Sequence, residues 1–338
     1  MTEWFQTFLV LSVAGSLLAG ILLALKKWAG KQFSPTWQYV LWVGVLLVMV
    51  VPVSVKVPAL VQPMQEKQMV HRIPLTAAEL TVTEQSAPMD TVEAPAEEIL
   101  PVMEETALPS IPWWDVLAVI WVLGALGSLG YRLTGYFRFS RNICRTGEPM
   151  ELDGVPKGLR VCETTAAVSP MVMGIFRPTL ILPETALTES RLPYVLRHEL
   201  VHYRRGDIIW RWLAVLATSI HWFNPMVYVA AAQMQEACEI SCDWYVVRSM
   251  EQAKRDDYMR VILELLAEAM AKKQILTTQM ASEKKQLQRR FTMIRNQKPV
   301  GMKKLLLSVC VGTALLGAAW LTAVSYTHLR AHETELHL

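Results

Sequence analysis

Hydrophobic and polar positions in this chain fall into long separate blocks. Residues 5–25 form an uncharged apolar run of 21, and residues 36–55 form another of 20. Residues 113–131, blemished only by Asp115 near the edge, and residues 305–325 complete a set of four. A bilayer core takes ~20 apolar residues as helix, so the pattern predicts four transmembrane helices. The competing reading is a set of buried core helices, which Trp residues near several run ends disfavour. A signal peptide is the alternative for the first run. That run is long for one, and Glu3 precedes it with no Lys or Arg.

Between the third and fourth runs the pattern changes. Residues 158–183 are rich in Val, Ile, Leu and Thr and predict short strands, GLRVCETT and SPMVMGIFRPTLILP, with Gly174 and Pro178 as breaks. Thr188-Glu189-Ser190 supplies N-cap candidates for a helix from about residue 190 to Gly206. An apolar helix over 207–222 and a further helix over 226–250 follow, separated by Asn224-Pro225.

Composition supports a membrane protein. The 338 residues are 52% hydrophobic with 12 Trp, and the mean hydropathy is +0.26, more apolar than is usual for a soluble domain. The net charge of +3 says little, but its distribution sets an orientation. Lys26, Lys27 and Lys31 follow the first run, and Arg132, Arg138, Arg141 and Arg145 follow the third. Residues 284–304 carry eight bases and no acid, whereas 56–112 carries nine acids against three bases. Positive charge marks the cytoplasmic side. The N-terminus and the acidic, Pro-rich 56–112 linker are therefore expected outside, and 132–304 inside. Five scattered cysteines give no CxxC pair and no disulfide framework.

The candidate chemistry lies in His198-Glu199-Leu200-Val201-His202. Two His at i and i+4 on a helix share a face and can bind one Zn²⁺, leaving a position open for water. Glu199, beside that water, fits a general base. Among the downstream acids, Glu239 is the expected third ligand. Going out over 207–222 covers ~22 Å and returning over 225–239 covers ~21 Å, so an antiparallel hairpin brings Glu239 back to the His pair. Glu236 is the fallback. Residues 212–231 are uncharged and long enough to span, but a span would put Glu239 on the wrong side. The hairpin is therefore preferred, either buried in the domain or dipping into the bilayer. Asp207 fits either a carboxylate partner for His202 or a helix N-cap, and Asp243 either a similar partner or an ordinary polar residue. Cys242 lies near the Glu239 face and is expected to pack. His221 is expected to pack or sit at an interface.

Together these segments resemble the BlaR/MecR family of membrane metallopeptidases and sensor-transducers. SPMVMGIFRPTLILP (169–183) resembles the strand segment ahead of the family's zinc helix. RHELVHYRRGD (197–207) resembles its HExxHxxRxD signature, HWFNPMVY (221–228) its WFNP turn, and CEISCDWYVV (238–247) its ExxCD signature. The resemblance covers roughly residues 1–325. It implies a mainly α-helical integral membrane protein with a gluzincin-like α+β zinc peptidase domain. Zn²⁺ would sit on His198, His202 and Glu239, with Glu199 as base. It also implies an extracellular signal that activates cleavage of the protein itself and leads to loss of a cytoplasmic DNA-binding repressor. Nucleic acid is not expected to be bound directly, and a homodimer is a further expectation.

Met171, Val172, Met173 and Gly174 are the expected substrate strand. Arg289, Arg290 and Phe291 are the candidate self-cleavage point, their plainer reading being a basic membrane flank. The expected domains are 1–55 (two transmembrane helices), 56–112 (extracellular linker), 113–131 (third helix), 132–304 (cytoplasmic peptidase), 305–325 (fourth helix) and 326–338. The last stretch, SYTHLRAHETELHL from Ser325, has the look of a non-native tail. The family's sensor-transducers continue into an outer penicillin-binding domain with an S-x-x-K serine site, and this chain is not expected to provide that site. Two rival readings remain. One is a non-catalytic receptor of the same fold, and the other is a protease that cuts transmembrane helices. The intact Glu199 opposes the first and the charged flanks of HELVH oppose the second.

Overall fold

The computed structural model describes residues 2–29, 34–52, 113–272 and 277–296, with positions 310, 312, 313 and 317 beyond them. Residues 55–112 lie wholly outside the described residues. The extracellular-linker expectation lies there, and most of the fourth expected span and the tail are likewise outside.

Helix α1 runs Thr2–Ala29, α2 Pro35–Val50 and α3 Trp113–Thr146. Both α1 and α3 are long and apolar enough to cross a membrane, while α2 is a shorter apolar helix of 16 residues. Ser34 caps α2 by accepting the Trp37 amide at 3.2 Å, and Pro35 supplies the pre-set φ of a first helical position. α2 is sealed on most sides, with Val45, Leu46 and Met49 fully buried. α3 instead leaves Leu123 and Leu126 more than 60% exposed, an apolar outer surface of the kind lipid covers. It also continues well past the expected end at 131, because its last four turns are amphipathic and basic and pack on the sheet. Gly312 lies against Trp37 and Leu41 of α2.

Four short strands follow: β1 Glu148–Met150, β2 Arg160–Glu163, β3 Met171–Met173 and β4 Thr179–Leu182. Their order is β1-β2-β4-β3, with β2 and β4 parallel and the outer pairs antiparallel. β4 is central, and its side chains alternate between faces. Leu180 and Leu182 join the core under the peptidase helices, and Ile181 packs with Ile143 of α3. The 169–183 segment is thus a hairpin. Gly174 takes φ +90°, and a Cβ there would press on the Arg177 carbonyl at 2.6 Å. β3 is left as the edge strand.

Helix α4 spans Leu192–Arg205. It starts without a side-chain cap: Leu192 N–H bonds to the Thr188 carbonyl at 2.9 Å. Arg191 is used elsewhere, bridging Glu264 and Glu268 of α7 (Gln252–Lys272) at 2.9 and 2.8 Å. Gly206, at φ +65°, ends α4 and leads into α5, Asp207–Ile220. A tight turn then reverses the chain into α6, Pro225–Val247. Helix α8 covers Thr277–Arg295.

The α5–α6 hairpin lies lengthwise among α1, α2 and α3. Its base is level with the start of α2, where Tyr39 donates to Asp207 at 3.0 Å, and with Lys26, which pairs with Glu236 at 3.1 Å. Its tip is level with the other end of α2, where His221 Nε2 donates to the Met49 carbonyl at 2.9 Å. Asn224 caps α6 by accepting the Met226 amide at 2.8 Å, and donates to Ser12 and Ser16 of α1 at 2.7 and 2.8 Å. From α3, Trp121 donates to the Ile220 carbonyl at 2.9 Å. Ser12 and Lys26 are fourteen residues apart on α1, so the hairpin reaches ~21 Å along it. Residues 212–231 are a turned-back hairpin and make no straight span.

Replacing Asn224 with Ala removes both the cap and the two serine bonds. We expect stability in detergent to fall by about 1–2 kcal/mol, read as a lower unfolding midpoint, with Ser12→Ala costing less.

Candidate metal centre

Three elements converge at the hairpin base. On α4, Val195, Glu199 and His202 are buried on the inner face, with His198 beside them. The His198 and His202 Nε2 atoms are 3.1 Å apart. The Glu239 carboxylate of α6 straddles them, with Oε2 at 3.5 Å from His198 Nε2 and Oε1 at 3.7 Å from His202 Nε2. The opposite ring nitrogens face carboxylates. His202 Nδ1 meets Asp207 Oδ2 at 2.6 Å. His198 Nδ1 meets the Tyr258 hydroxyl at 2.7 Å, and that hydroxyl donates to Asp243 at 2.7 Å. If each Nδ1 carries the donated proton, each Nε2 is left with a lone pair. Two such lone pairs at 3.1 Å beside a carboxylate call for a shared proton or a cation.

The charges around them agree. Burial alone would raise the Glu239 pKa, yet the His202 charge, the bonds from both imidazoles and Arg290 hold it well below the usual carboxylate range. Burial likewise disfavours the His202 imidazolium, but Glu239 and Asp207 raise its pKa well above the ordinary value. Asp243, fully buried, would also be pushed up, and Arg290 brings it down to about 2. The carboxylates that favour a charged imidazole would likewise favour a divalent cation, which binds the rings only in their deprotonated form.

Two other groupings of metal-binding type share these residues: His198, His202 and Cys242, and His202, Asp207 and Cys238. Cys242 Sγ lies 3.6 Å from His198 Nδ1, and Cys238 Sγ 3.9 Å from His202 Nδ1. Both thiols are on the Nδ1 side and pack into apolar clusters. The Nε2 side opens on a cavity of about 370 Å³, lined by both His, Glu199, Glu239, Arg211 and Arg290 with apolar residues of α7. That side opens on the larger of the two cavities lined by His202, with room for water and substrate, so the Nε2–Glu239 set is the candidate cation site.

The sequence-predicted residues are thus placed as follows. His198, Glu199, His202 and Glu239 line one cavity. Asp207 bonds His202, while Asp243 lies 3.4 Å from His198 Nδ1 with Tyr258 bonded to both. Glu236, the fallback ligand, is turned away and pairs with Lys26 and Arg289. Met171 lines the cavity; Val172 and Gly174 line a second one of about 150 Å³ on the far side of Glu199 and His202. Met173 completes the edge strand. Arg289, Arg290 and Phe291 lie on α8, where Arg290 forks onto Asp243 and Phe291 packs against an apolar cluster. Tyr258 and Arg211 went unnoticed in the sequence. Tyr258 is one aromatic on an amphipathic helix and carries no spacing signal. Arg211, whose Nη2 donates to Glu239 at 3.1 Å, stands four residues past Asp207 in an otherwise apolar helix, and that isolated charge was the available clue.

The model for the BlaR1 peptidase M56 family matches residues 6–294. The chain belongs to that family. The match runs from α1 through nearly all of α8, so the family unit includes the membrane helices as well as the HELVH helix. Similar curated proteins include the regulatory protein BlaR1 of Bacillus licheniformis, 29% identical over 153 residues, which are 44% of this chain and 26% of that protein. The methicillin resistance mecR1 protein of Staphylococcus aureus is 26% identical over 166 residues, 44% of this chain and 28% of that one. The regulatory protein BlaR1 of S. aureus is 22% identical over 214 residues, 60% and 36%. The chain thus matches about a quarter to a third of the length of these relatives. M56 membership makes it a metallopeptidase-family protein. The membrane-type helices α1 and α3 agree with the membrane sensor-transducer character of that family.

The His202–Asp207 bond generates a direct expectation. Asp207→Ala should weaken metal binding by about 10–100-fold, measured by competition against a chelator of known affinity.

Proposed function

We propose that this M56 chain is a membrane-embedded zinc endopeptidase that cleaves a cytoplasmic protein, a DNA-binding repressor by family resemblance, and also itself, in response to an extracellular signal. The observation that carries the reading is the closeness of His198 Nε2, His202 Nε2 and the Glu239 carboxylate: the nitrogens are 3.1 Å apart, with Oε2 at 3.5 Å from the first and Oε1 at 3.7 Å from the second. Tetrahedral zinc with bonds near 2.0–2.1 Å spaces its ligand atoms roughly 3.3 Å apart, close to what these residues already offer. The chain would be multi-pass in a bacterial plasma membrane with the peptidase face cytoplasmic, as the Lys and Arg distribution supports.

His198, His202 and Glu239 would hold the metal, and Asp207 and Tyr258 would fix the ring orientations. Zinc, when bound, polarises the scissile carbonyl and acidifies the attacking water. Glu199 takes the water's proton as the oxygen attacks the carbonyl carbon. It then passes that proton to the amide nitrogen as the C–N bond breaks. The free edge of β3 would take the substrate backbone as an added strand, which sets the peptide beside Met171 at the cavity mouth. Self-cleavage at 289–291 would require α8 to unwind first, because a helix offers no extended peptide to that edge.

The test uses purified membrane protein, wild type beside Glu199→Ala. Both should bind about one zinc. Only the wild type should be clipped between residues 272 and 304, with the variant slower by about 100-fold or more. Equal clipping in both, or a wild type that takes up no zinc, would overturn the reading.

A further inference from the structure

Outside the metal ligands and their known type of hydrogen-bond partner, the densest polar arrangement in the molecule is the contact of α8 with α6. Glu236, Glu239 and Asp243 follow one another at three- and four-residue spacing, so they share one face of α6. Two consecutive arginines of α8 take the outer two. Arg289 pairs with Glu236, which also accepts from Lys26 at the end of α1. Arg290 forks onto Asp243, Nε to Oδ2 at 2.6 Å and Nη2 to Oδ1 at 2.8 Å. The same guanidinium reaches within 3.9 Å of the Glu239 carboxylate and lines the cavity.

Asp243 has no water-facing surface. Its four polar neighbours are the two Arg290 nitrogens, the Tyr258 hydroxyl and His198 Nδ1. Arg290 is therefore the only cation with a fixed positive charge among them. A buried carboxylate without a counter-charge is costly. It would relax by moving, and that would upset the Tyr258 bond that fixes the His198 ring.

We propose that Arg290 is a positioning residue of the metal centre. Acting through Asp243 and Tyr258 on His198, it makes α8 a working part of the site, where a flanking segment would have no such effect. The proposal rests on the zinc reading above. One consequence concerns self-cleavage: a cut at 289–291 would remove Arg290 from Asp243 and weaken the centre that made the cut.

The experiment uses the full chain in detergent with metal alone, so it needs no substrate. Zinc affinity is measured by chelator competition, and the visible absorption of Co²⁺ placed in the site reports ligand geometry. For Arg290→Ala we expect affinity about 10–100-fold weaker and a shifted Co²⁺ band, both moved back toward wild type by added millimolar guanidinium. Arg290→Lys, which keeps the charge but loses the fork, should fall between. Arg295→Ala, exposed on the same helix, should match wild type. A purely structural role would leave the guanidinium without effect, and that result would overturn the proposal. So would Arg290→Ala binding zinc as tightly as wild type. A wild type that binds no zinc would sink the zinc reading itself and this inference with it, whereas a zinc-binding wild type matched by Arg290→Ala would sink this inference alone.

Discussion

Two imidazole nitrogens facing each other across 3.1 Å, with a carboxylate closing the third side, impose the constraint that shapes everything nearby. Such donors repel unless something positive sits among them, and they spread apart unless something behind them holds. The protein answers with rigid backing. One ring is braced by Asp207 from the next helix, the other by Tyr258 and Asp243 from two more, and guanidinium groups from α5 and α8 lie against Glu239. Five helices, α4 to α8, therefore meet in one polar knot. The apolar clusters give the helices their general placement, while the knot selects one register.

The second organising constraint is that Glu239 arrives on a helix whose chain has first travelled through apolar surroundings and returned. In such surroundings a turn exposes amides and carbonyls with no water to satisfy them. Here the tip is served by α1, α2 and α3 at once, through Ser12 and Ser16, the Met49 carbonyl and Trp121. Close approach helps. Gly15 lets Met49 against α1, and Gly124 lets Trp222 against α3, each where a Cβ would collide. Helices α1, α2 and α3 thus serve as the socket for the hairpin that carries Glu239.

Much of this was legible in the residues. The HELVH spacing put two rings on one face, and the matched lengths of 207–222 and 225–239 returned Glu239 to them. Gly206 and Asn224-Pro225 marked the ends of the helices correctly. Contributions made by long side chains across tertiary contacts were not legible. Arg289 and Arg290 read as a self-cleavage point or a basic flank, because a run of positive charge near a membrane looks the same whether it faces water or a buried carboxylate. Tyr258 lies on a helix whose periodicity marks a buried face but names no partner for its hydroxyl. In the 169–183 stretch Gly174 and Pro178 read as breaks, but the close approach of the Arg177 carbonyl to Gly174 is a geometric detail that no local preference reveals.

Gly206 deserves a last consideration as a joint. A single left-handed residue separates α4, which carries His202, from α5, whose first residue is Asp207. The imidazole and its carboxylate therefore ride on two different rods, one in the peptidase fold and one running into the membrane helices. Their 2.6 Å bond spans the elbow like the crosspiece of a set square. A change in the angle between α4 and α5 would turn the His202 ring against its brace. The elbow thereby ties the orientation of one imidazole to the angle between two helices.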